Sequence, residues 1–197
     1  MIATVLLLSF LAVASYTDLR WRLVYNQTTY TGILVAFAGS VLQSFVEAGG
    51  WWPSGEQPTA EQFAISGFVP LPASLGGFFA CGLVMLICYV ILPGGVGGGD
   101  VKLLAMIGAF LGITAGLETM LWTLVLGGCL ALLVLIWREG IWKLLRQVGR
   151  YALAAVKLGL PPTLDDADKK TLAIELFLSP SALLATVIVR FHWIEWF

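Results

Sequence analysis

Long apolar stretches alternate with short polar segments along the chain, which is the pattern of a protein with several membrane-spanning helices. Each stretch approaches the ~20 residues that a helix needs to cross a bilayer. The pattern predicts an all-α bundle of six transmembrane helices in a single domain, 1–197, with spans at 1–16, 28–46, 71–92, 101–116, 118–137 and 172–189. The first span is short and is expected to begin at the outer interface, and Pro180 is expected to break the sixth.

A different pattern follows the fifth predicted span. Between residues 138 and 160, basic and apolar side chains alternate, which predicts a basic amphipathic helix on the anionic cytoplasmic surface of the membrane. The same segment could instead dock a partner. The loop at 47–70, by contrast, carries glutamates and no lysine or arginine, so the two connections are expected on opposite sides of the membrane.

Composition supports the same class of protein. Hydrophobic residues make up 59% of the chain and charged residues 12%, and the mean hydropathy is +0.91, which is typical of an integral membrane protein surrounded by lipid. Cys81, Cys88 and Cys129 lie in apolar segments without a Cys-x-x-Cys pair, and the chain has a single histidine. We therefore expect no disulfide framework, no metal, no cofactor and no nucleic-acid partner.

The distribution of lysine and arginine orients the predicted bundle. Ten of the eleven basic residues fall on one side of the six spans, and only Arg190 falls on the other. Because lysine and arginine in short loops mark the cytoplasmic side, that side is expected to face the cytoplasm, with both termini outside. The same assignment brings Asp18, at the inner end of the first span, and Asp100, at the inner end of the fourth, to one membrane face.

The chemically most unusual stretch is a run of glycines that leads into Asp100. Five of the six positions from Gly94 to Gly99 are glycine, so the backbone lacks side-chain cover and another peptide could approach it closely. A charged group near the centre of a membrane helix costs about 2.5 to 3.5 kcal/mol on insertion scales and is a candidate functional group. The alternative is a flexible loop whose aspartate caps the next helix.

Two acids on one membrane face suggest a specific chemistry. Carboxylates a few ångström apart cannot both ionise easily, so one keeps its proton and can act as an acid while the other activates water. This is the chemistry of aspartyl peptide hydrolysis. Alternatives remain open, because Asp18 could pair with Arg20 or Arg22. Asn26 could cap the following helix, and two acids could merely stabilise separate helix ends.

Two stretches carry a family resemblance. Gly97–Asp100, with the following helix Val101–Ala109, resembles the Gly-x-Gly-Asp signature of the type IV prepilin peptidase family, and Asp18–Asn26 is similar to its first aspartate motif. The resemblance implies an intramembrane aspartic protease that removes the leader of prepilins at the cytoplasmic face of the bacterial inner membrane, so that a pilus or secretion system can assemble. It implies a catalytic pair, Asp18 and Asp100, and candidate substrate contacts at Gly97, Gly98, Gly99, Lys102 and Asn26.

The chain also departs from the family pattern. Tyr25 stands where proline is common, and residues 178–182 only loosely match the motif expected before the last helix. The chain has no cysteine tetrad and no long inserted domain of the kind that accompanies N-methylation, so we expect cleavage without methylation. The compact chain and the basic amphipathic segment before the last span are similar to those of the small Tad-type peptidases that serve Flp pili, and pilus assembly proteins are further expected partners.

Two other classes of function stay open. A proton-coupled transporter would also keep acids inside a bundle, but near the midplane and within pseudo-repeats. No convincing repeat relates the two halves of the chain. A membrane scaffold for pilus assembly with a vestigial site would carry the same motifs and is distinguished only by its lack of processing activity.

Overall fold

The computed structural model describes residues 1–21, 25–47, 67–91, 97–140, 146 and 178–191. They form five helices: α1 Ile2–Trp21, α2 Asn26–Glu47, α3 Leu71–Ile91, α4 Gly98–Glu139 and α5 Leu178–Arg190. Within these ranges there is no strand, and the prediction of an all-α membrane protein is confirmed. Most of the predicted amphipathic helix at 138–160, most of the loop at 47–70 and residues 172–177 of the sixth predicted span lie outside the described residues.

The number and limits of the spans differ from the prediction. Four helices, α1 to α4, are long and apolar enough to cross a membrane, whereas α5 has 13 residues, so the count of six is not confirmed. α1 runs on to Trp21 instead of ending at residue 16. Pro180 was expected to break a helix but lies in the first turn of α5, where its missing N–H removes no helical hydrogen bond.

The helix α4 replaces the fourth and fifth predicted spans with one element that is broken at Gly112. As a straight helix, its 42 residues would extend ~63 Å, about twice the hydrocarbon thickness. Gly112 has φ 81° and ψ −172°, a conformation that favours glycine. The chain folds back there, because a Cβ on Gly116 would lie 3.0 Å from the Cα of Gly108. In a straight helix these positions are ~12 Å apart, so α4 is a helical hairpin.

The hairpin packs closely against α3. A methyl group on Gly77 would overlap the backbone of Gly108 and Gly112, so the two helices are in direct backbone contact. The hydroxyl of Ser74 donates to the carbonyl oxygen of Ala109 at 2.7 Å, an oxygen whose helical partner would lie just beyond the break. The neighbouring helix therefore satisfies a backbone group near the turn, as the membrane interior requires.

The first arm of α4 forms the centre of the bundle. Residues 103–110 are all buried, and α4 contacts each of the other four helices. A helix that is apolar on every side is typical of a protein core or of the membrane interior. Asp100 lies three residues before this buried run, in the first turn of the same helix, which gives it a rigid support.

The helices alternate in direction and gather their ends into two groups. At one end, Arg190 Nε donates to Thr4 Oγ1 at 2.7 Å, which joins the end of α5 to the start of α1. At the other end, the start of α5 meets the last turn of α1, where Ser179 contacts Asp18. Asp100 lies at this second end, which is called the acid end below.

Candidate active site

Asp18 is buried in the last turn of α1. Its side chain is 9% exposed, and it continues the buried face formed by Leu7, Leu11 and Ala14 at helical spacing. The main-chain N–H of Ser179 donates to Asp18 Oδ2 at 3.4 Å. Because Ser179 lies in the first turn of α5, the carboxylate sits against a helix N-terminus, whose partial positive charge stabilises an anion.

Asp100 lies in the first turn of α4 and is half-buried. The N–H of Gly97 donates to Asp100 Oδ2 at 3.1 Å, and the N–H of Asp100 donates to the carbonyl oxygen of Gly97 at 3.0 Å. These reciprocal bonds form a capping arrangement at the start of α4. The capping role, which the sequence left as an alternative, is therefore present, and it orients the carboxylate at the same time.

The two acids come together at the acid end. The carboxyl groups of Asp18 and Asp100 belong to different helices but lie close enough for their charges to interact. The described partner of Asp18 is Ser179 and not Arg20, which is exposed, and Arg22 lies outside the described residues. In the described part of the chain, no salt bridge joins Asp18 to Arg20.

Lys102 joins the acid end to α2. Its Nζ donates to Asn26 Oδ1 at 2.7 Å and lies 4.9 Å from the centre of the Tyr30 ring, a cation–π contact. Asn26 begins α2, but its side-chain oxygen accepts from Lys102 and does not cap the helix as one alternative proposed. The lysine ammonium is thus held by neutral groups, and among the described residues it makes no ion pair with Asp100.

The glycines before Asp100 differ in their surroundings. Gly97 and Gly98 are exposed and Gly99 is partly covered. A Cβ on Gly98 would meet nothing within 4 Å, whereas a Cβ on Gly97 would lie 3.1 Å from Asp100 Oδ2. The lack of a side chain at Gly97 therefore leaves room for the Asp100 carboxylate, and the lack of one at Gly98 leaves the backbone open. Gly94 and Gly95 lie outside the described residues.

The start of α5 is the part of the site that sequence reasoning missed. Residues 178–182 matched the expected motif only loosely, and no contact was assigned to them. The available signal was Ser179-Pro180-Ser181 ahead of an apolar run, which is typical of a helix N-terminus. Nothing in that signal indicates that the first turn of α5 contacts Asp18, because Ser179 and Asp18 lie far apart in the chain.

The arrangement has the parts of a general acid–base site. Two neighbouring carboxyl groups each receive a main-chain N–H, one from Gly97 and one from Ser179, and the exposed backbone of Gly98 lies beside them. One carboxylate can take a proton while the other gives one. Among the described residues, no three His, Cys, Asp or Glu side chains gather as a metal site would require.

Comparison with known proteins gives one match. The model of the type IV leader peptidase family matches residues 5–132, which include both acids, the glycines and the turn at Gly112. The start of α5 lies beyond the matched residues. No curated protein and no solved structure matches the chain.

Proposed function

The chain belongs to the type IV leader peptidase family, a family of aspartic-type peptidases, and on this premise we propose that it cleaves the leader from type IV or Flp-type prepilins. The observation that carries the proposal is the position of Asp18 and Asp100 at the acid end, in the last turn of α1 and the first turn of α4, close enough for their charges to interact. Paired carboxyl groups at the edge of a membrane helix bundle are costly and are suited to hydrolysis of a peptide bond.

Asp18 and Asp100 are proposed as one catalytic unit. The ionised carboxylate takes a proton from a water molecule, and the water oxygen attacks the carbonyl carbon of the scissile bond. The protonated carboxyl gives its proton to the carbonyl oxygen, and a proton then passes to the amine as the carbon–nitrogen bond breaks. Titration of such a pair belongs to both groups together, so neither residue is assigned one fixed role.

The residues around the pair are proposed to hold the substrate backbone. The open main chain at Gly97, Gly98 and Gly99 lets an extended peptide approach without side-chain obstruction. Lys102 and Asn26, which bind each other at the acid end, would form the adjoining rim. Together they place a peptide main chain, and not a particular side chain, against the two carboxyl groups.

The site is proposed to lie at the cytoplasmic face of the bacterial inner membrane. The support is the sequence distribution of basic residues, ten of eleven on the side of Asp18 and Asp100. Pilus assembly proteins would receive the mature product. Cleavage without N-methylation is proposed because the sequence has no cysteine tetrad or inserted domain of the kind that accompanies methyl transfer.

Co-expression with prepilins tests the proposal. Flp-type and type IV prepilins are expressed separately with the wild-type chain or with Asp100→Asn, and the mass of the pilin N-terminus is measured. We expect loss of the leader only with the wild-type chain, with no added methyl group. Equal processing by Asp100→Asn would show that the acid pair is not the catalytic unit, and an added methyl group with no other enzyme present would show a second activity.

A further inference from the structure

Ser179 is a polar residue of the acid end that the proposed mechanism does not use. Its main-chain N–H donates to Asp18, but its side chain is fully buried and Oγ has no hydrogen-bond partner. A buried hydroxyl without a partner is costly to folding, and its presence in a native structure calls for an explanation.

Buried serine hydroxyls without a hydrogen-bond partner occur near Asp18 in the described chain. Three buried serine hydroxyls lack a partner there: Ser15, Ser40 and Ser179. Ser15 lies one turn before Asp18 on the buried face of α1, and Ser179 bonds to Asp18 directly. Ser40 lies on α2 next to Gly39, which packs against Phe68, away from the acid end. Two of these three residues are therefore close to Asp18, one on the same buried helix face and one bonded to it through its main chain, whereas Ser40 has the same chemistry elsewhere.

We propose that Ser179 is a positioning residue for Asp18, whose hydroxyl adds a second hydrogen bond to the carboxyl when substrate occupies the site. This inference rests on the proposed peptidase function. Oγ is three bonds from the nitrogen that already reaches Asp18 Oδ2, so one rotation about χ1 is enough to bring the hydroxyl to the same carboxyl. The N···O distance of 3.4 Å is long for such a bond, and catalytic hydrogen bonds often tighten only in the substrate complex.

A hydroxyl suits a carboxyl that gains and loses a proton. When Asp18 is ionised, the hydroxyl of Ser179 donates to it, and when Asp18 is protonated, the hydroxyl accepts from it. The main-chain N–H can only donate. Ser179 thus holds the orientation of Asp18 in both protonation states, with no net transfer of a proton to the serine.

The test compares Ser179→Ala, Ser179→Thr and Ser40→Ala in purified full-length protein acting on a prepilin. We expect Ser179→Ala to lower kcat about ten- to a hundredfold, as loss of a hydrogen bond to a charged group does, with KM nearly unchanged. Ser179→Thr keeps the hydroxyl and should recover most of the loss. Ser40→Ala should match wild type. Neither alanine variant should lower the melting temperature, because neither removes a made side-chain hydrogen bond.

The outcomes separate this inference from the function on which it rests. A wild-type chain that cleaves no prepilin overturns the proposed function itself. An active wild type with a Ser179→Ala variant as fast as Ser40→Ala overturns only the role of Ser179. If Ser179→Thr loses as much kcat as Ser179→Ala while both stay folded, the hydroxyl is not the important group, and the positioning role is wrong.

Discussion

Replacing Gly97 with alanine probes the contact that orients Asp100. Gly97 has φ −80° and ψ 146°, so alanine fits the backbone without strain. Its Cβ would, however, lie 3.1 Å from Asp100 Oδ2, the oxygen that accepts the Gly97 N–H at the same distance. The carboxylate must shift by a few tenths of an ångström to admit the methyl group, which misaligns that hydrogen bond.

The size of the effect follows from the bond that is disturbed. A hydrogen bond to a charged group contributes about 1.5 to 3 kcal/mol, and Asp100 is only half-buried, which favours the lower part of this range. If the loss falls on the transition state, kcat/KM decreases about tenfold and at most about a hundredfold. Alanine is also a poorer N-cap than glycine, which lowers the free energy of unfolding by up to ~1 kcal/mol.

The assay is cleavage of a prepilin by purified variants, with kcat/KM and the melting temperature measured for each. Gly98→Ala adds a methyl group to the same loop where nothing lies within 4 Å, and it reports the cost of covering the backbone alone. Gly128→Ala, which also meets nothing within 4 Å, controls for the introduction of alanine into α4 at a position that the proposed site does not use. We expect the largest loss from Gly97→Ala. A loss from Gly97→Ala no larger than that from Gly128→Ala would refute the role assigned to the Gly97 contact.

Three further predictions concern catalysis, packing and topology. Asp18→Asn and Asp100→Asn should each abolish prepilin processing, and the double variant should lose little more, because the effects of mutations within one catalytic unit do not add. Near wild-type processing by either single variant would show that the two acids do not act as a pair. Gly77→Ala should destabilise the fold by about 1 to 3 kcal/mol because its methyl group overlaps the α4 backbone, whereas Gly128→Ala should not, and thermal melts in detergent distinguish them. Gln27→Cys, at an exposed position of the acid end in a background without the native cysteines, should react with an impermeant maleimide only after the inner membrane is opened. Labelling of this cysteine in intact spheroplasts would contradict the proposed orientation.

Part of this protein could be predicted from local pattern alone. A bilayer has a nearly constant thickness, so the length and apolarity of each stretch are enough to indicate an all-α membrane protein. The costly acids Asp18 and Asp100 stood out for the same reason, and the motifs around them led to the family that the comparison confirmed. Their catalytic role stays a prediction, since neither composition nor the family match assigns roles to individual residues.

The hairpin of α4 shows where pattern reasoning ended. Gly108, Gly112 and Gly116 are equally spaced and chemically identical, so nothing local indicates which of them breaks the helix. The pattern placed the boundary near residue 117, whereas the turn is at Gly112. That choice depends on the packing of α3 against α4. Gly77 leaves room for the α4 backbone, and the hydroxyl of Ser74 donates to the carbonyl oxygen of Ala109 in place of the main-chain N–H beyond the break.

The contacts that complete the site depend on tertiary structure in the same way. Ser179 meets Asp18, and Lys102 meets Asn26 instead of the nearby Asp100, because helix packing sets which ends are neighbours. Apolar periodicity determines that a helix forms and which face it buries, but it carries little information about the partner of a polar group at the helix end. The sequence by itself therefore determined the membrane class, the family and the two acids, while only the packed bundle decided what holds those acids in place.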